Sequence, residues 1–142
     1  MDFSALLAAT KTIAVVGLSN RPERPSFGVA STLQRGGFRI IPVNPQYAGT
    51  LILGEPCVAS LADISVPVDI VDCFRRSEDM PSVATDAAAM SPRPKVLWMQ
   101  LGVANDDAAK IAGDAGIDVV QNKCLETTYL ALKNERKMSH EN

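Results

Sequence analysis

The strongest constraint on the fold of this chain is a regular alternation of short apolar runs with segments of helical periodicity. Five runs rich in β-branched residues have the length and composition of buried strands, at 13–17, 38–44, 68–74, 95–102 and 117–122. Helices are predicted at 2–9, 27–37, 79–90, 106–116 and 125–137. Strands that alternate with helices at this spacing predict a parallel sheet with helices on both faces.

The length of the chain and its turn residues predict one α/β domain. With 142 residues the chain has the size of a single typical domain. Right-handed crossovers favour a doubly wound, Rossmann-like arrangement with a mostly parallel five-stranded sheet. We expect one domain over 1–142, with its core at about 10–125 and a frayed C-terminal tail. Pro42 predicts that the second strand lies at a sheet edge or has a bulge, and the irregular segment 45–67 is expected to cross that edge.

The charge and the cysteine content narrow the classes of function. The net charge is −2 with both signs mixed, so neither nucleic acid nor a membrane is an expected partner. The first residues lack a basic signal-peptide region, and no apolar run reaches the length of a membrane span. The three cysteines are far apart without a CxxC pattern, which is typical of reduced thiols. We therefore expect a cytoplasmic protein without a metal site.

The loop after the first strand is the most informative candidate site. Its sequence GLSNRPERPSFG, residues 17–28, leads from a strand into a helix. Gly17 permits a tight turn and a close approach of a phosphate, while Ser19 and Asn20 offer short polar side chains. Arg24 and the free N–H groups at the helix start favour an anion. The loop is longer than the dinucleotide fingerprint GxGxxG and contains two prolines, so an ordinary exposed loop is the alternative.

The end of the second strand argues against a nicotinamide cofactor. A dinucleotide-binding fold is expected to place an acid there, where it bonds the ribose hydroxyls of NAD. In this chain Asn44 and Pro45 stand at that place. The missing acid disfavours NAD and leaves an NADP-like cofactor open.

The end of the third strand carries two adjacent cations. Arg75 and Arg76 follow Phe74, and a guanidinium fork there could pair with a phosphate. The alternative is that both arginines pair with Glu78 and Asp79 at the start of the next helix.

The sequence contains no recognisable catalytic constellation. Its single histidine, His140, falls in the C-terminal segment, so no hydrolase-type triad is expected. Asp69 and Asp72 lie three apart on one strand and are expected to face opposite sides, which excludes a carboxylate pair. Cys124 follows the fifth strand, where the end of a ligand could reach it, although an inert apolar filler is the simpler interpretation.

The strand-end segments together resemble the CoA-binding domain family in its small stand-alone form. The segments that carry the resemblance are VVGLSNRPERPSFGVASTLQRGGFRIIPVNP, LGEPCVASLADI, VDIVDCFRRSED, KVLWMQLGV and DVVQNKC. The family is similar to the nucleotide-binding domain of the succinyl-CoA synthetase α subunit. The resemblance implies a CoA diphosphate near the first loop and an adenine beside the other strand-end loops. By position it implicates as binding residues Gly17, Ser19, Asn20, Arg24, Asn44, Pro45, Phe74, Arg75 and Gln100.

The resemblance implies a function in binding. We expect a CoA or acyl-CoA binding protein without its own catalytic centre, acting as a carrier, a sensor or the partner of an enzyme. Ligase chemistry is not expected, because the synthetases use a phosphorylated histidine on a separate domain. The alternatives are an NAD(P)-dependent oxidoreductase of Rossmann type and an interaction domain without a ligand. A homo-oligomer and an enzyme partner are both open.

Two expectations concern single residues. Gly17→Val is expected to weaken ligand binding far more than it alters the fold. The thiol of a bound CoA is expected to reach Cys124 and form a mixed disulfide, with Lys123 favouring the thiolate. Burial of Cys124 would make the second expectation wrong.

Overall fold

Strands and helices alternate along the chain in the computed structural model, which describes residues 1–141. The α-helices are α1 (Phe3–Ala9), α2 (Pro25–Arg35), α3 (Met80–Ala88), α4 (Asp106–Asp114) and α5 (Leu125–Glu141). The strands are β1 (Thr12–Val16), β2 (Arg39–Val43), β3 (Leu51–Ile52), β4 (Glu55–Pro56), β5 (Ile70–Cys73), β6 (Val96–Met99) and β7 (Asp118–Val120). Short 3-10 turns lie at Pro45–Tyr47, Leu61–Asp63 and Ser77–Asp79.

The main sheet has five parallel strands in the order β2-β1-β5-β6-β7. All residues of β1, β5 and β6 are buried, which explains why these strands are mostly apolar in the sequence. From β1 the chain turns to β2 on one side, and it later returns to β5 on the other side. The predicted doubly wound, Rossmann-like α/β fold is therefore confirmed.

Helices cover both faces of this sheet. On one face α1, α2 and α5 bury Leu7, Leu33 and Leu125 against strand residues such as Ile13. On the other face α3 and α4 pack through small side chains, including Ala84 and Ala112. Since alternate residues of a strand point to opposite faces, each buried strand contributes to both layers.

Pro42 lies on the edge strand β2, as predicted. Its carbonyl accepts a hydrogen bond from Val58 at 3.0 Å on the outer side of the sheet. The N–H and C=O of one strand residue point to the same side, so proline removes only a donor that would have faced outward. Between β2 and β5 the chain forms the short antiparallel hairpin of β3 and β4, and Val58 forms an isolated parallel bridge with Val43.

The last helix packs against the body of the domain. Tyr129 on α5 lies edge-on to Phe38 with ring centroids 5.4 Å apart, and its hydroxyl touches Gly36 at the end of α2. Leu7 and Leu125 are buried. The packed part of the chain thus extends beyond 10–125 at both ends, and α5 includes the position of His140. None of the helices in residues 1–141 is long and apolar enough to cross a membrane.

Capping explains where one predicted helix starts. The side-chain oxygen of Asn105 accepts a hydrogen bond from the N–H of Ala108 at 2.9 Å, and Asp106 and Asp107 occupy the first turn of α4. Both features stabilise a helix N-terminus. The predicted start of this helix at residue 106 is confirmed.

Candidate functional site

A cleft lies at the carboxyl ends of β1, β2 and β5. Because β2 and β5 lie on opposite sides of β1, the loops that follow these three strands run apart and leave a crevice between them. The cleft has a volume of about 560 Å³. It is lined by Gly17, Ser19, Arg21, Arg24, Pro25, Ser26, Asn44, Gln46, Tyr47, Phe74, Arg75 and Arg76. A smaller cavity of about 340 Å³, bordered by Phe38 and Tyr129, lies away from these loops.

The lining of the cleft is rich in cationic side chains. Four of its lining residues are arginines, Arg21, Arg24, Arg75 and Arg76, and no acidic side chain of residues 1–141 lines it. Arg21 and Arg24 are exposed on the loop before α2. Guanidinium groups present planar forks of N–H donors that match phosphate oxygens. The arrangement is therefore suited to a ligand with more than one phosphate group.

Gly17 lines the cleft at the point where the loop after β1 passes the backbone of Phe74 after β5. Its N–H donates to the carbonyl of Val43 at 2.8 Å, and its φ of +86° is unfavourable for any residue with a side chain. A Cβ atom at this position would overlap the carbonyl oxygen of Phe74. The expectation that Gly17→Val spares the fold is therefore wrong, because the side chain has no space even without a ligand.

Two serines hold the first loop against α2. The N–H of Ser19 donates to Oγ of Ser26 at 3.0 Å, and Oγ of Ser19 accepts from the N–H of Arg21 at 3.1 Å. Arg24 is the N-terminal cap residue of α2, and Pro25 occupies the first turn. In the described chain no side chain caps this helix end, so its partial positive charge faces the cleft.

Asn44 joins the first loop to the loop after β2. Its Nδ2 donates to the carbonyl of Leu18 at 3.1 Å, and its Oδ1 accepts from the N–H of Gln46 at 3.0 Å. Each atom has capacity for one further hydrogen bond, so Asn44 can hold the loop and still contact a ligand.

Gln46 and Tyr47 line the cleft but were not predicted from the sequence. The 3-10 turn Pro45–Tyr47, which follows directly after Asn44, turns both side chains back to the cleft. An aromatic residue three positions after a strand-end asparagine was the available sequence feature. The sequence alone does not show that this aromatic side chain lies in the cleft, because its direction depends on the 3-10 turn.

The two arginines after β5 pair with acids, as the alternative interpretation predicted. Arg75 lies 3.5 Å from Asp79, and Arg76 lies 3.4 Å from both Glu78 and Asp79. These are long pairs at the surface, which contribute little to stability. A bound phosphate can therefore compete for the guanidinium groups at a small cost.

Three predicted binding residues do not line the cleft. Asn20 is exposed beside it, and Pro45 borders a neighbouring cavity of about 290 Å³ that Arg75 also lines. Gln100 is buried, and its Oε1 accepts a hydrogen bond from the N–H of Leu125 at 2.9 Å. Its predicted contact with the ligand has no support in this geometry, because the side chain already holds the start of α5.

The two carboxylates near β5 have separate surroundings. Asp69 precedes the strand and accepts hydrogen bonds from the N–H groups of Lys11 and Thr12 at 2.8 and 3.0 Å. Asp72 lies inside the sheet and is fully buried. Among residues 1–141 no group of three potential metal-ligating side chains comes together.

A doubly wound α/β domain with a cationic cleft at the strand switch point has the architecture of nucleotide-binding domains. The chain belongs to the CoA binding domain family, whose sequence pattern matches residues 11–129.

Relatives support this membership. The chain is 38% identical over 132 residues to the protein YneT of Bacillus subtilis (strain 168), covering 93% of this chain and 95% of YneT. The solved structure of cell-free ID.343 from Thermus thermophilus is 37% identical and superposes with a TM-score of 0.87, covering 92% of this chain and 96% of that one.

A larger enzyme contains the same fold as one of its parts. The dinucleotide forming acetyl-coenzyme A synthetase 1 of Ca. Korarchaeum cryptofilum superposes with a TM-score of 0.64 at 21% identity. The match covers 77% of this chain but 25% of the synthetase. At this level of identity the likeness concerns the fold alone.

Proposed function

We propose that this protein binds CoA or an acyl-CoA in the cleft at the carboxyl ends of β1, β2 and β5. The observation that carries the proposal is the set of four arginines around a cleft without an acidic lining residue. CoA carries a diphosphate and a ribose phosphate, so a bound molecule offers several anionic partners at once. Membership in the CoA binding domain family supports the same ligand.

The parts of the cleft match the parts of the ligand. The uncapped start of α2 and Arg24 suit the diphosphate, since a helix N-terminus and a guanidinium group both stabilise phosphate charge. Tyr47 and Phe74 offer aromatic faces on which an adenine can stack. Asn44 stands where nicotinamide-binding domains carry the ribose acid, and its Oδ1 already accepts from Gln46. This favours CoA over NAD.

The proposal includes a role in binding without catalysis. The lining residues are cationic, small polar or aromatic, and these groups hold and orient a ligand. A carrier, a sensor or a partner that presents CoA to an enzyme fits this composition.

A comparison of ligands tests the proposal. Isothermal titration of the full chain with CoA, dephospho-CoA, NAD and NADP should give the tightest binding for CoA and weaker binding for dephospho-CoA. A ligand that binds only the native state also raises the melting temperature. Binding of NAD or NADP with no binding of CoA would overturn the proposal. Incubation with acetyl-CoA should return the thioester intact, and its steady hydrolysis would overturn the non-catalytic role.

A further inference from the structure

A second polar cluster lies beside the cleft, on the sheet face that α1, α2 and α5 cover. Side chains along β5 and the residue that follows it alternate between the two faces of the sheet. Asp72 and Phe74 therefore lie on this face, while Val71 and Cys73 pack into the core on the other face. Gln100 extends β6 on the same face and contacts the start of α5. Cys124, the residue before α5, packs against this core as well.

Cys124 sits at the N-terminus of a helix of 17 residues. Its carbonyl accepts hydrogen bonds from the N–H of Thr128 at 3.1 Å and from the Thr128 hydroxyl at 2.9 Å. Its side chain is half-buried, so the thiol is neither inaccessible nor fully exposed to water. The condition that would have excluded a reactive Cys124 is therefore not met.

The surroundings of this thiol favour the thiolate. Burial raises the pKa of Cys124, but hydrogen bonds from the hydroxyl and N–H of Thr127, from the Gln100 side chain and from the N–H of Glu126 lower it by more. The net pKa is below that of an ordinary cysteine. A lowered pKa at a helix N-terminus is the environment in which cysteines react as nucleophiles.

A buried carboxyl group without a partner lies next to this thiol. Neither oxygen of Asp72 has a hydrogen-bond partner of good geometry within residues 1–141, although the side chain is fully buried. Burial raises the pKa of Asp72 well above its usual value, and the charge of Cys124 raises it further, against a smaller effect of the Cys73 N–H. An unpaired buried polar group is costly and rare, which indicates a use beyond packing.

The ionisation of the two groups is coupled. The charge of Cys124 raises the pKa of Asp72, so by reciprocity an ionised Asp72 disfavours the Cys124 thiolate, whereas a protonated Asp72 does not. Asp72 does not line the cleft, so its effect on a ligand there acts through Cys124.

The cluster is within reach of a ligand in the cleft. Phe74 lines the cleft and lies two residues after Asp72 on the same face of the sheet. Gln100, which contacts both Cys124 and α5, extends β6, two strands away from β1. Two strand spacings correspond to roughly 10 Å, which the long flexible arm of CoA can cross.

We propose that Cys124 is a thiol-exchange site that takes up the thiol half of a CoA disulfide and holds it as a mixed disulfide. The inference rests on the proposed binding of CoA in the cleft. The Cys124 thiolate attacks one sulfur of the disulfide, a new S–S bond forms to Cys124, and the original S–S bond breaks. The other half leaves as a thiolate and takes up a proton from water. The disulfide supplies the oxidising equivalent, so no other oxidant is needed.

Mass spectrometry of the full chain tests the site. The reduced protein is incubated with CoA disulfide, and in parallel with glutathione disulfide at the same concentration, and adducts are mapped by peptide mass. We expect one CoA adduct on Cys124, formed at least tenfold faster than the glutathione adduct. The buried Cys57 serves as an internal control and should stay unmodified. No adduct on Cys124, or equal rates for the two disulfides, would overturn the inference.

The variant Cys124→Ser separates this inference from the proposed function. Cys124→Ser should bind CoA with unchanged affinity in a titration but form no adduct. If wild type binds CoA and Cys124 stays unmodified, the exchange site is wrong and CoA binding stands. If neither wild type nor Cys124→Ser binds CoA, both are wrong.

Asp72→Asn tests the neighbouring carboxyl group. It should change the pH profile of adduct formation at Cys124 and leave the affinity for CoA unchanged, an effect that a purely structural role would not produce. An unchanged pH profile in the folded variant would remove Asp72 from the mechanism.

Discussion

The carbonyl oxygen of Phe74 occupies the space that a side chain on Gly17 would need. Gly17 therefore serves the fold first, because it lets the loop after β1 pass directly beside the loop after β5. Both residues also line the cleft. Binding and folding cannot be separated by a substitution at this position.

Gly17→Ala should destabilise the protein by about 3 kcal/mol or more, because backbone strain and the overlap with Phe74 add. Gly102 is a matched control: its φ is also +86°, but a Cβ atom there meets no other atom within 4 Å. Gly102→Ala should cost roughly 1–2 kcal/mol from backbone strain alone. Urea unfolding of both variants measures the difference. Equal losses would show that the contact with Phe74 is unimportant.

Arg24→Ala should weaken CoA binding about tenfold, which corresponds to roughly 1.4 kcal/mol for the loss of a charged contact to phosphate. Arg35 is the control, because it lies at the opposite end of α2 and does not line the cleft. Arg35→Ala should leave the affinity unchanged. The salt dependence of binding should also become less steep in Arg24→Ala. Titration calorimetry at two salt concentrations checks both effects, and equal behaviour of the two variants would contradict the placement of the phosphates.

Asp69→Asn should lower stability by about 1–2 kcal/mol at pH 7. Burial acts to raise the pKa of Asp69, but the N–H groups of Lys11 and Thr12 and the ammonium of Lys95 lower it by more. A carboxyl group with a depressed pKa stabilises the fold above its unfolded pKa. That contribution is lost as the pH falls through the folded pKa. Unfolding in urea at pH 7 and pH 3 should show the difference between variant and wild type shrinking in acid, and a constant difference would exclude the ionised contact.

The stability of Asp72→Asn relative to wild type should depend on pH in the opposite sense to that of Asp69→Asn. The raised pKa of Asp72 means that the folded state retains a proton that the unfolded state loses above about pH 4. Wild-type stability should therefore fall as the pH rises from about 4, until the folded carboxyl group also ionises. The neutral amide removes this dependence, so its stability relative to wild type should increase between pH 5 and pH 8. Thermal unfolding across this range measures the trend, and parallel pH curves would show that Asp72 is not protonated in the fold.

Much of the fold followed from local patterns in the sequence. The order of strands and helices came from apolar runs and helical spacing, and the edge position of β2 came from Pro42 alone. These features depend on neighbours in sequence. The arginines of the first and third loops were also found this way, because parallel strands bring their carboxyl ends to one edge of the sheet.

The parts that sequence reasoning missed depend on contacts between distant segments. Gln100 follows a strand end like the other candidates, but its side-chain oxygen accepts a hydrogen bond from the N–H of Leu125 and so holds the start of α5. Gly17 looked like a ligand contact until the position of Phe74 was known. The lack of hydrogen-bond partners for the Asp72 carboxyl group is visible only in the structure. The sequence does not show which groups surround an aspartate in a strand.

The edges of the sheet limit how copies of this protein can associate. On β2 the proline offers no N–H and its carbonyl is taken by Val58. On the opposite side β7 has three residues and begins with the exposed Asp118. Short, charged or proline-bearing edges resist the addition of foreign strands. Each edge of the sheet therefore disfavours the addition of a strand from another copy of the chain, and with it a continuous intermolecular sheet.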